Sequence, residues 1–248
     1  MNVTTTEVGS ARVLTWDRAH RRNAWTRAVI EDLAGAIEAC GEDPAVRCVV
    51  ARGAGDHFSA GDDLYATAAA DAAEWEKIVA AFQRLTLAVL GAPVPVLAAI
   101  DGVCIGGALE FAASCDLRVC TDRARFATPE VRIGLSATNA GTLLLPEVVG
   151  ETAARHLLLT GALVDAAWAH ANGLVSEVVP AHELDARVGA LAGAFDDTSR
   201  AAVAATKAML NDRFGELLDA ALRRETDTCV RLFDSEDAQR AVQAFVSR

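Results

Sequence analysis

The stretch Asp101-Gly-Val-Cys-Ile-Gly-Gly-Ala-Leu-Glu110 decides the fold, because it joins a buried strand to a helix through glycines. Residues 93–100, which precede it, are apolar throughout, and a strand of this kind has no face for solvent. The helix is expected to begin near Gly106, where the first backbone N–H groups are unpaired and lie at the positive end of the helix dipole. Such N–H groups can hold an anion, or an oxyanion that develops during a reaction.

Glu110 is the unusual residue of this helix, because its neighbours in the sequence are apolar: Ala108, Leu109, Phe111, Ala112 and Ala113. A carboxylate buried without partners costs on the order of several kcal/mol, so a buried glutamate calls for a functional explanation. The structural alternative is a side chain that points outward from an amphipathic helix. The short helix has little other polar surface, which favours the functional role.

Two further motifs carry residues suited to a site. Phe58-Ser-Ala-Gly-Asp-Asp-Leu64 has a glycine among small residues, which lets the backbone approach a ligand and leaves N–H groups exposed. The alternative for this motif is a plain loop with capping aspartates. Phe126-Ala-Thr-Pro-Glu130 places a carboxylate directly after a proline that fixes the backbone. Taken by itself, this glutamate is better explained as a helix-start carboxylate that the helix dipole favours.

Strands and helices alternate through the first three quarters of the chain, and helices fill the remainder from about Leu184. This pattern predicts an α/β fold with a C-terminal helical region, organised as one domain with a helical extension. We place the core and the site in residues 1–195 and the helical region in residues 196–248. Near the start, a helix is predicted from Arg27 to Cys40, and Gly41 is expected to end it in the left-handed conformation.

Composition limits the classes of function. The net charge of −11 argues against nucleic acid and against anionic membranes as partners, because both bind to positively charged protein surfaces. No apolar run is long enough for a transmembrane helix, and no signal-peptide pattern opens the sequence. The six cysteines are scattered without a CxxC pair, and neither they nor the five histidines cluster at ligand spacing. This predicts reduced thiols, no metal site and a cytoplasmic location.

A local concentration of positive charge lies at Arg18, His20, Arg21 and Arg22. Such a cluster can bind the phosphates of a small molecule even in an acidic protein, since the charge is concentrated locally. It can equally be an ordinary solvated loop. The residues alone leave both interpretations open.

The three motifs, in this order and at these separations, resemble the enoyl-CoA hydratase/isomerase (crotonase) family. The resemblance begins at Arg21-Arg-Asn-Ala24, runs through the three motifs, and continues to Ala205-Thr-Lys-Ala-Met-Leu-Asn211 and to residues 235–245. It implies an α/β fold built as a crotonase-like spiral of ββα units. The C-terminal helical region would serve trimerisation, so the implied partners are further copies of the chain, in a homotrimer or a dimer of trimers.

The resemblance also implies a site. Its oxyanion donors would be the backbone N–H groups of Asp62 and Gly107, and its acid and base would be Glu110 and Glu130. The basic run from Arg18 to Arg22 would lie near the phosphates or the adenosine of CoA. The residues that would bind the CoA thioester are Arg22, Ala24, Ala60, Asp62, Asp63, Leu64, Tyr65, Gly106 and Gly107.

The implied reaction is hydration of a 2-enoyl-CoA thioester to a 3-hydroxyacyl-CoA. Glu110 would activate a water molecule and Glu130 would protonate the α-carbon; CoA is part of the substrate, and no metal or redox cofactor is needed. Two alternatives stay open: double-bond isomerisation or another acyl-CoA reaction on the same scaffold, and non-catalytic acyl-CoA binding. The sequence departs from the family at Thr138 and Asn139, where small residues are usual, and at Asp62, where a small apolar residue is usual.

Overall fold

The computed structural model describes residues 2–247, and its strands form two sheets. The strands are β1 (Val3–Val8), β2 (Ala11–Trp16), β3 (Cys48–Gly53), β4 (Val96–Ile100), β5 (Val103–Ile105), β6 (Leu117–Thr121), β7 (Arg125–Ala127), β8 (Val164–Asp165) and β9 (Glu177–Val179). The larger sheet has the order β1-β2-β3-β4-β6-β9, and the smaller sheet has the order β5-β7-β8. β1 and β2 pair antiparallel as a hairpin, and every later pair of the larger sheet is parallel.

The helices lie between and after these strands. They are α1 (Arg27–Glu42), α2 (Leu64–Ala69), α3 (Ala72–Gly91), α4 (Gly107–Ser114), α5 (Gly141–Val149), α6 (Glu151–Thr160), α7 (Ala166–Ala171), α8 (Leu184–Gly193), α9 (Arg200–Asp212), α10 (Gly215–Phe233) and α11 (Glu236–Val246). From Leu184 to residue 247 the described chain is helical apart from connecting turns, which confirms the predicted fold class. Among the helices of residues 2–247, none combines the length and the apolar composition that crossing a membrane requires.

Apolar stripes at helical spacing build the core that covers the larger sheet. On α1, Val29, Ile30, Leu33 and Ile37 are fully buried, and α1 packs along α3. Burying each such side chain contributes about 1.5–3 kcal/mol, so the contact between α1 and α3 is a major source of stability.

Gly41 does not end α1, and the predicted left-handed end is wrong. The helix continues to Glu42, with Gly41 as an ordinary helical residue. A Cβ at residue 41 would lie 2.9 Å from a ring carbon of Pro93. The glycine therefore allows close packing between α1 and the segment before β4, which a sequence pattern cannot distinguish from a helix end.

The smaller sheet brings the three sequence motifs together. β5 and β7 pair in parallel, so their carboxyl ends lie side by side. On the other edge of β5, Ser59 pairs with Cys104 as an isolated bridge. The chain that leaves β5 begins α4, the chain that leaves β7 reaches Glu130, and the segment after Ser59 reaches Asp62. All three motifs therefore end at the same edge of this sheet.

The C-terminal helices pack onto the rest of the chain and reach the same region. α10 contacts α3 and α5, and α11 contacts α2 and the 3-10 turn at residues 130–133. Trp75 of α3 and Phe233 of α10 stack with ring centroids 5.2 Å apart. Residues 215–246 therefore form part of the surroundings of the site.

Candidate active site

Two backbone N–H groups form the first part of the candidate site. Gly107 is the first residue of α4, so its N–H has no acceptor within the helix. The neighbours of Asp62 on both sides bond to the backbone of Trp25, at 2.7 and 2.8 Å, so the N–H of Asp62 itself points away from Trp25. Within residues 2–247, neither N–H donates to a backbone acceptor. Two such donors can together bind a carbonyl oxygen that gains negative charge.

Close packing explains the two glycines at the start of α4. A Cβ at Gly107 would lie 2.6 Å from the Phe82 ring, nearer than real Cβ atoms come to a neighbour. Gly106 has a φ of 60°, in the left-handed region, and its N–H donates to Ala127 O at 2.8 Å. This hydrogen bond ties the start of α4 to the end of β7.

Glu110 lies one turn into α4 and is buried, with 1% of its surface exposed. Its carboxylate accepts two long hydrogen bonds from Thr138: the backbone N lies 3.2 Å from Oε1, and Oγ1 lies 3.4 Å from Oε2. Gly141 packs against the same carboxylate, since a Cβ there would lie 2.8 Å from Glu110 Cδ and nearer still to Oε1. The side chain therefore points inward, and the alternative of an outward-facing glutamate is wrong.

Glu130 begins the 3-10 turn that follows β7, and the residue is half-buried. Its carboxylate faces the start of α4, because a Cβ on Gly106 would lie 2.7 Å from Glu130 Oε1. The parallel pairing of β5 and β7 produces this approach, since the two strands deliver Gly106 and Glu130 to neighbouring positions. The structure thus brings together Glu110 and Glu130, which lie 20 residues apart in the sequence.

Burial changes the proton affinity of both glutamates. It raises the pKa of Glu110 well above the usual range of a carboxyl, and the negative charges of Glu130 and Glu225 raise it further. Burial also raises the pKa of Glu130, to about 7. Two carboxyls that repel each other in an apolar site share one proton near neutral pH. Such a pair can offer an acid and a base at the same time.

The residues predicted to bind the CoA thioester lie on segments that run side by side. Ala60 N donates to Arg22 O at 2.9 Å, which places residues 22–24 alongside residues 60–65. A Cβ on Gly61 would lie 3.7 Å from Gly106 Cα, so the second segment also adjoins the start of α4. The residues brought together in this way are Arg22, Ala24, Ala60, Asp62, Asp63, Leu64, Tyr65, Gly106 and Gly107.

The basic run contributes unequally to this surface. The guanidinium of Arg18 pairs with Asp63 at 2.8 Å and donates to Ala24 O at 2.5 Å, so it holds the loop together. Arg21 is exposed and lies 4.5 Å over the ring of Tyr65. Arg21 and Arg22 are therefore the arginines of this run that present positive charge to solvent.

The side chain of Asp62 is directed into the protein. Its Oδ2 accepts a hydrogen bond from Thr67 Oγ1, and its Oδ1 is buried without a hydrogen-bond partner in residues 2–247. Burial raises the pKa of this carboxyl to about 7. Asp62 therefore faces the site with its backbone N–H while its side chain packs against α2.

Thr138 and Asn139, the departures from the family pattern, support other residues of the site. Thr138 donates to Glu110 as described, and its carbonyl oxygen accepts from Gln83 Nε2 at 2.9 Å. Asn139 is fully buried, and its Nδ2 lies 3.4 Å from Gly107 O. The loop that contains them thus connects α3, Glu110 and the first residue of α4.

Glu225 is a buried carboxylate near the site that the sequence reasoning missed. It lies on α10, 5% exposed, and accepts hydrogen bonds from residues 140 and 142. A signal was available, because Glu225 stands in the apolar stripe of its helix with Leu222, Cys229 and Phe233. A charged residue at a core position of a helix calls for a partner, as Glu110 does.

The sequence profile of the family described as Enoyl-CoA hydratase/isomerase matches residues 7–248. The chain belongs to the enoyl-CoA hydratase/isomerase family. Among similar proteins, a crotonyl-CoA hydratase of Syntrophomonas wolfei subsp. wolfei is 32% identical over 95% of this chain and 91% of its own length. A short-chain-enoyl-CoA hydratase of Clostridium acetobutylicum is 31% identical over 100% of this chain and 95% of its own.

Solved structures agree with this membership of the enoyl-CoA hydratase/isomerase family. An enoyl-CoA hydratase from Mycobacterium avium subsp. paratuberculosis K-10 superposes with a TM-score of 0.91 at 30% identity, covering 100% of this chain and 96% of that one. An enoyl-CoA hydratase from Bacillus halodurans superposes with a TM-score of 0.92 at 25% identity, covering 98% of this chain and 100% of that one. The predicted crotonase-like fold is confirmed.

Proposed function

We propose that this member of the enoyl-CoA hydratase/isomerase family hydrates a 2-enoyl-CoA thioester to a 3-hydroxyacyl-CoA. The observation that carries the proposal is that Glu110 and Glu130 interact electrostatically, with Glu110 one turn after Gly107 and Glu130 against Gly106. Hydration requires one group that accepts a proton from water and one that donates a proton to carbon. The names of the two curated relatives, both hydratases of enoyl-CoA substrates, support the same reaction.

The backbone donors supply the electrostatic part of the chemistry. The N–H groups of Gly107 and Asp62 bind the thioester oxygen and stabilise the negative charge that it gains in the transition state. Removing one donor of this kind typically costs about 10²–10³-fold in kcat. Polarisation of the carbonyl also makes the β-carbon of the enoyl group electrophilic, so that water can attack it.

The glutamate pair then handles two protons. Water adds to the β-carbon, its proton passes to Glu110, and the electrons of the double bond move to the enolate oxygen. The enolate returns its electrons to the α-carbon, which takes a proton from Glu130. One turnover therefore moves a proton from Glu130 to Glu110. The proton must return to Glu130 before the next turnover.

The proposed chemistry uses no metal ion and no redox cofactor. Both proton transfers involve side chains of the protein, the charge on oxygen is stabilised by its backbone, and the carbon skeleton undergoes no net oxidation. CoA takes part only as a portion of the substrate. Its phosphates are expected to lie near Arg21 and Arg22, the exposed arginines of the basic run.

Exposed apolar side chains support the proposal that the protein assembles as a homotrimer or a dimer of trimers. Met209, Leu210 and Leu217 lie on or beside the last helices and are about two-thirds exposed in the single chain. Packing against further copies would remove this surface from water. Native mass spectrometry is expected to give three or six chains, and a monomer would refute this.

The six free, buried cysteines support a reducing, cytoplasmic location.

Purified protein mixed with crotonyl-CoA tests the proposed reaction. We expect the enoyl-thioester absorbance to disappear and 3-hydroxybutyryl-CoA to form, with both followed in the same sample. Turnover of a 3-enoyl-CoA without any hydration would instead indicate double-bond isomerisation. Binding of acyl-CoA esters of several chain lengths without turnover would indicate a binding protein. Either of the last two results would refute the proposal.

A further inference from the structure

Glu225 and Glu110 contact the same short turn of the chain. Glu225 Oε2 accepts from Ala140 N at 2.7 Å, and Oε1 accepts from Thr142 N at 2.9 Å and from Thr142 Oγ1 at 2.5 Å. Gly141, between these two residues, is the one that packs against the Glu110 carboxylate. Only Gly141 therefore lies between the residues that Glu225 holds and the carboxylate of Glu110, although Glu225 comes 115 positions later in the sequence.

The turn has a backbone conformation that needs such support. Ala140 has a φ of 64°, in the left-handed region that residues with a side chain rarely adopt. Conformations of this kind persist where the surrounding structure over-determines them, and they concentrate at functional sites. The hydrogen bond from Ala140 N to Glu225 of α10 helps to hold Ala140 in this conformation.

The charge of Glu225 matters as well as its geometry. Its carboxylate accepts N–H groups at the start of α5, where the helix dipole favours a negative charge. The titratable groups that act on Glu110 are Glu130 from the 3-10 turn and Glu225 from α10, and both are acidic. Cys229, also on α10, donates to Ser136 O at 3.7 Å and lies near enough to Glu110 for the two groups to interact electrostatically.

We propose that Glu225 is a positioning residue for Glu110: it fixes the turn at residues 140–142 against which the catalytic carboxyl packs, and it places a negative charge near that carboxyl. The inference rests on the proposed hydration, in which Glu110 takes the proton of water. It assigns a function to a residue of the C-terminal helices that touches no substrate.

Kinetics with Glu225→Gln test this assignment. The variant removes the charge and places an amide N–H against a backbone N–H, so the turn must shift. We expect kcat for crotonyl-CoA to fall on the order of 10²-fold, the effect of moving a catalytic group by about 1 Å, with KM unchanged. The limb of the pH–rate profile that reports Glu110 should move to lower pH, because a repelling negative charge has gone.

Three further variants separate charge from geometry. Asp227→Asn removes an exposed negative charge from the same helix and should behave as the unmodified protein. Glu225→Asp keeps the charge and should restore the position of the pH limb and part of kcat. Thr142→Val removes one hydrogen bond to Glu225 and should lower kcat without moving the pH limb. If Glu225→Gln fails to fold, the last two variants decide, and unchanged kcat in both would overturn the proposal.

An infrared titration tests the inference without turnover. The band of the protonated Glu110 carboxyl is identified by its loss in Glu110→Gln, and its midpoint should move to lower pH in Glu225→Gln. A protein that does not hydrate crotonyl-CoA refutes the proposed function, and the infrared midpoint then decides about Glu225 by itself. A protein that hydrates crotonyl-CoA, with unaltered kcat, pH profile and infrared midpoint in folded Glu225→Gln, refutes the positioning role alone.

Discussion

Replacing Gly141 with alanine tests the placement of Glu110 with a single methyl group. Gly141 is the first residue of α5 and has ordinary helical backbone angles, so alanine introduces no backbone strain. The added Cβ would lie 2.8 Å from Glu110 Cδ and 3.0 Å from Cγ, and closer still to Oε1. Real Cβ atoms essentially never approach a neighbour within 3.0 Å. The carboxyl therefore has to move, since the backbone of the turn is held by Glu225.

The size of the effect follows from that movement. Clearing the new methyl group displaces the Glu110 carboxyl by about 1 Å, and a misplacement of that size costs on the order of 10²-fold in rate. Stability should fall by no more than about 2 kcal/mol, because overpacking costs about 1–3 kcal/mol and the higher helix propensity of alanine offsets about 1 kcal/mol of that. Binding of the CoA ester should also be unaffected, because the thioester donors belong to Gly107 and Asp62.

Stopped-time assays of crotonyl-CoA hydration measure the rate, and urea unfolding curves measure the free energy of unfolding. Gly189→Ala is the matched control, because Gly189 lies in α8, is exposed, and has nothing within 4 Å of an added Cβ. That control should keep full activity and gain about 0.5–1 kcal/mol of stability. If Gly141→Ala hydrates crotonyl-CoA at the unmodified rate, Glu110 does not act from the position described.

Three other predictions follow from the same structure. Glu130→Gln should lower kcat on the order of 10²–10⁴-fold while the Kd of a saturated acyl-CoA stays the same, because the amide fills the space but donates no carboxyl proton; loss of acyl-CoA binding would contradict this. The free energy of unfolding should fall as pH rises from 4.5 to about 7, because folding raises the pKa of Glu130 across that interval and the folded state binds its proton more tightly. Urea titrations of Glu130→Gln should show a free energy of unfolding that depends less on pH. The same pH dependence in both proteins would refute the effect of burial on the pKa of Glu130. Asp116→Asn should cost about 3 kcal/mol, because it removes the negative charge that lies 2.7 Å from the buried ammonium of Lys207. Glu147→Gln, which breaks an exposed pair with Arg213, should cost less than about 1 kcal/mol in the same urea assay.

Local patterns were sufficient to predict the elements that carry the site. The uniform apolar run before Asp101, the glycines after it and the isolated Glu110 together indicated a strand, a helix start and a buried carboxylate. The strand and the helix start depend on interactions within a few residues, and the apolar neighbours of Glu110 in the sequence indicated its burial; the structure has all three features. The family resemblance then related Glu130 and Asp62 to this helix, which neither motif could do by itself.

Long-range contacts explain what the sequence could not provide. β5 and β7 have only three residues each, too few for a periodic signal, yet their pairing is what brings Glu130 to Gly106. The contacts of Glu225 with residues 140 and 142 span more than 80 positions. Gly41 resembled a helix end because the requirement it meets, space for Pro93, comes from a segment of the chain that is distant in sequence.

Crystals of the Glu130→Gln variant soaked with crotonyl-CoA would show directly how the substrate lies in the site. We expect a thioester oxygen about 2.7–3.1 Å from the backbone nitrogens of both Gly107 and Asp62. We also expect the double bond to lie between the side chains of Glu110 and residue 130. A thioester oxygen out of hydrogen-bonding range of both nitrogens, or a double bond remote from Glu110, would contradict the proposed site.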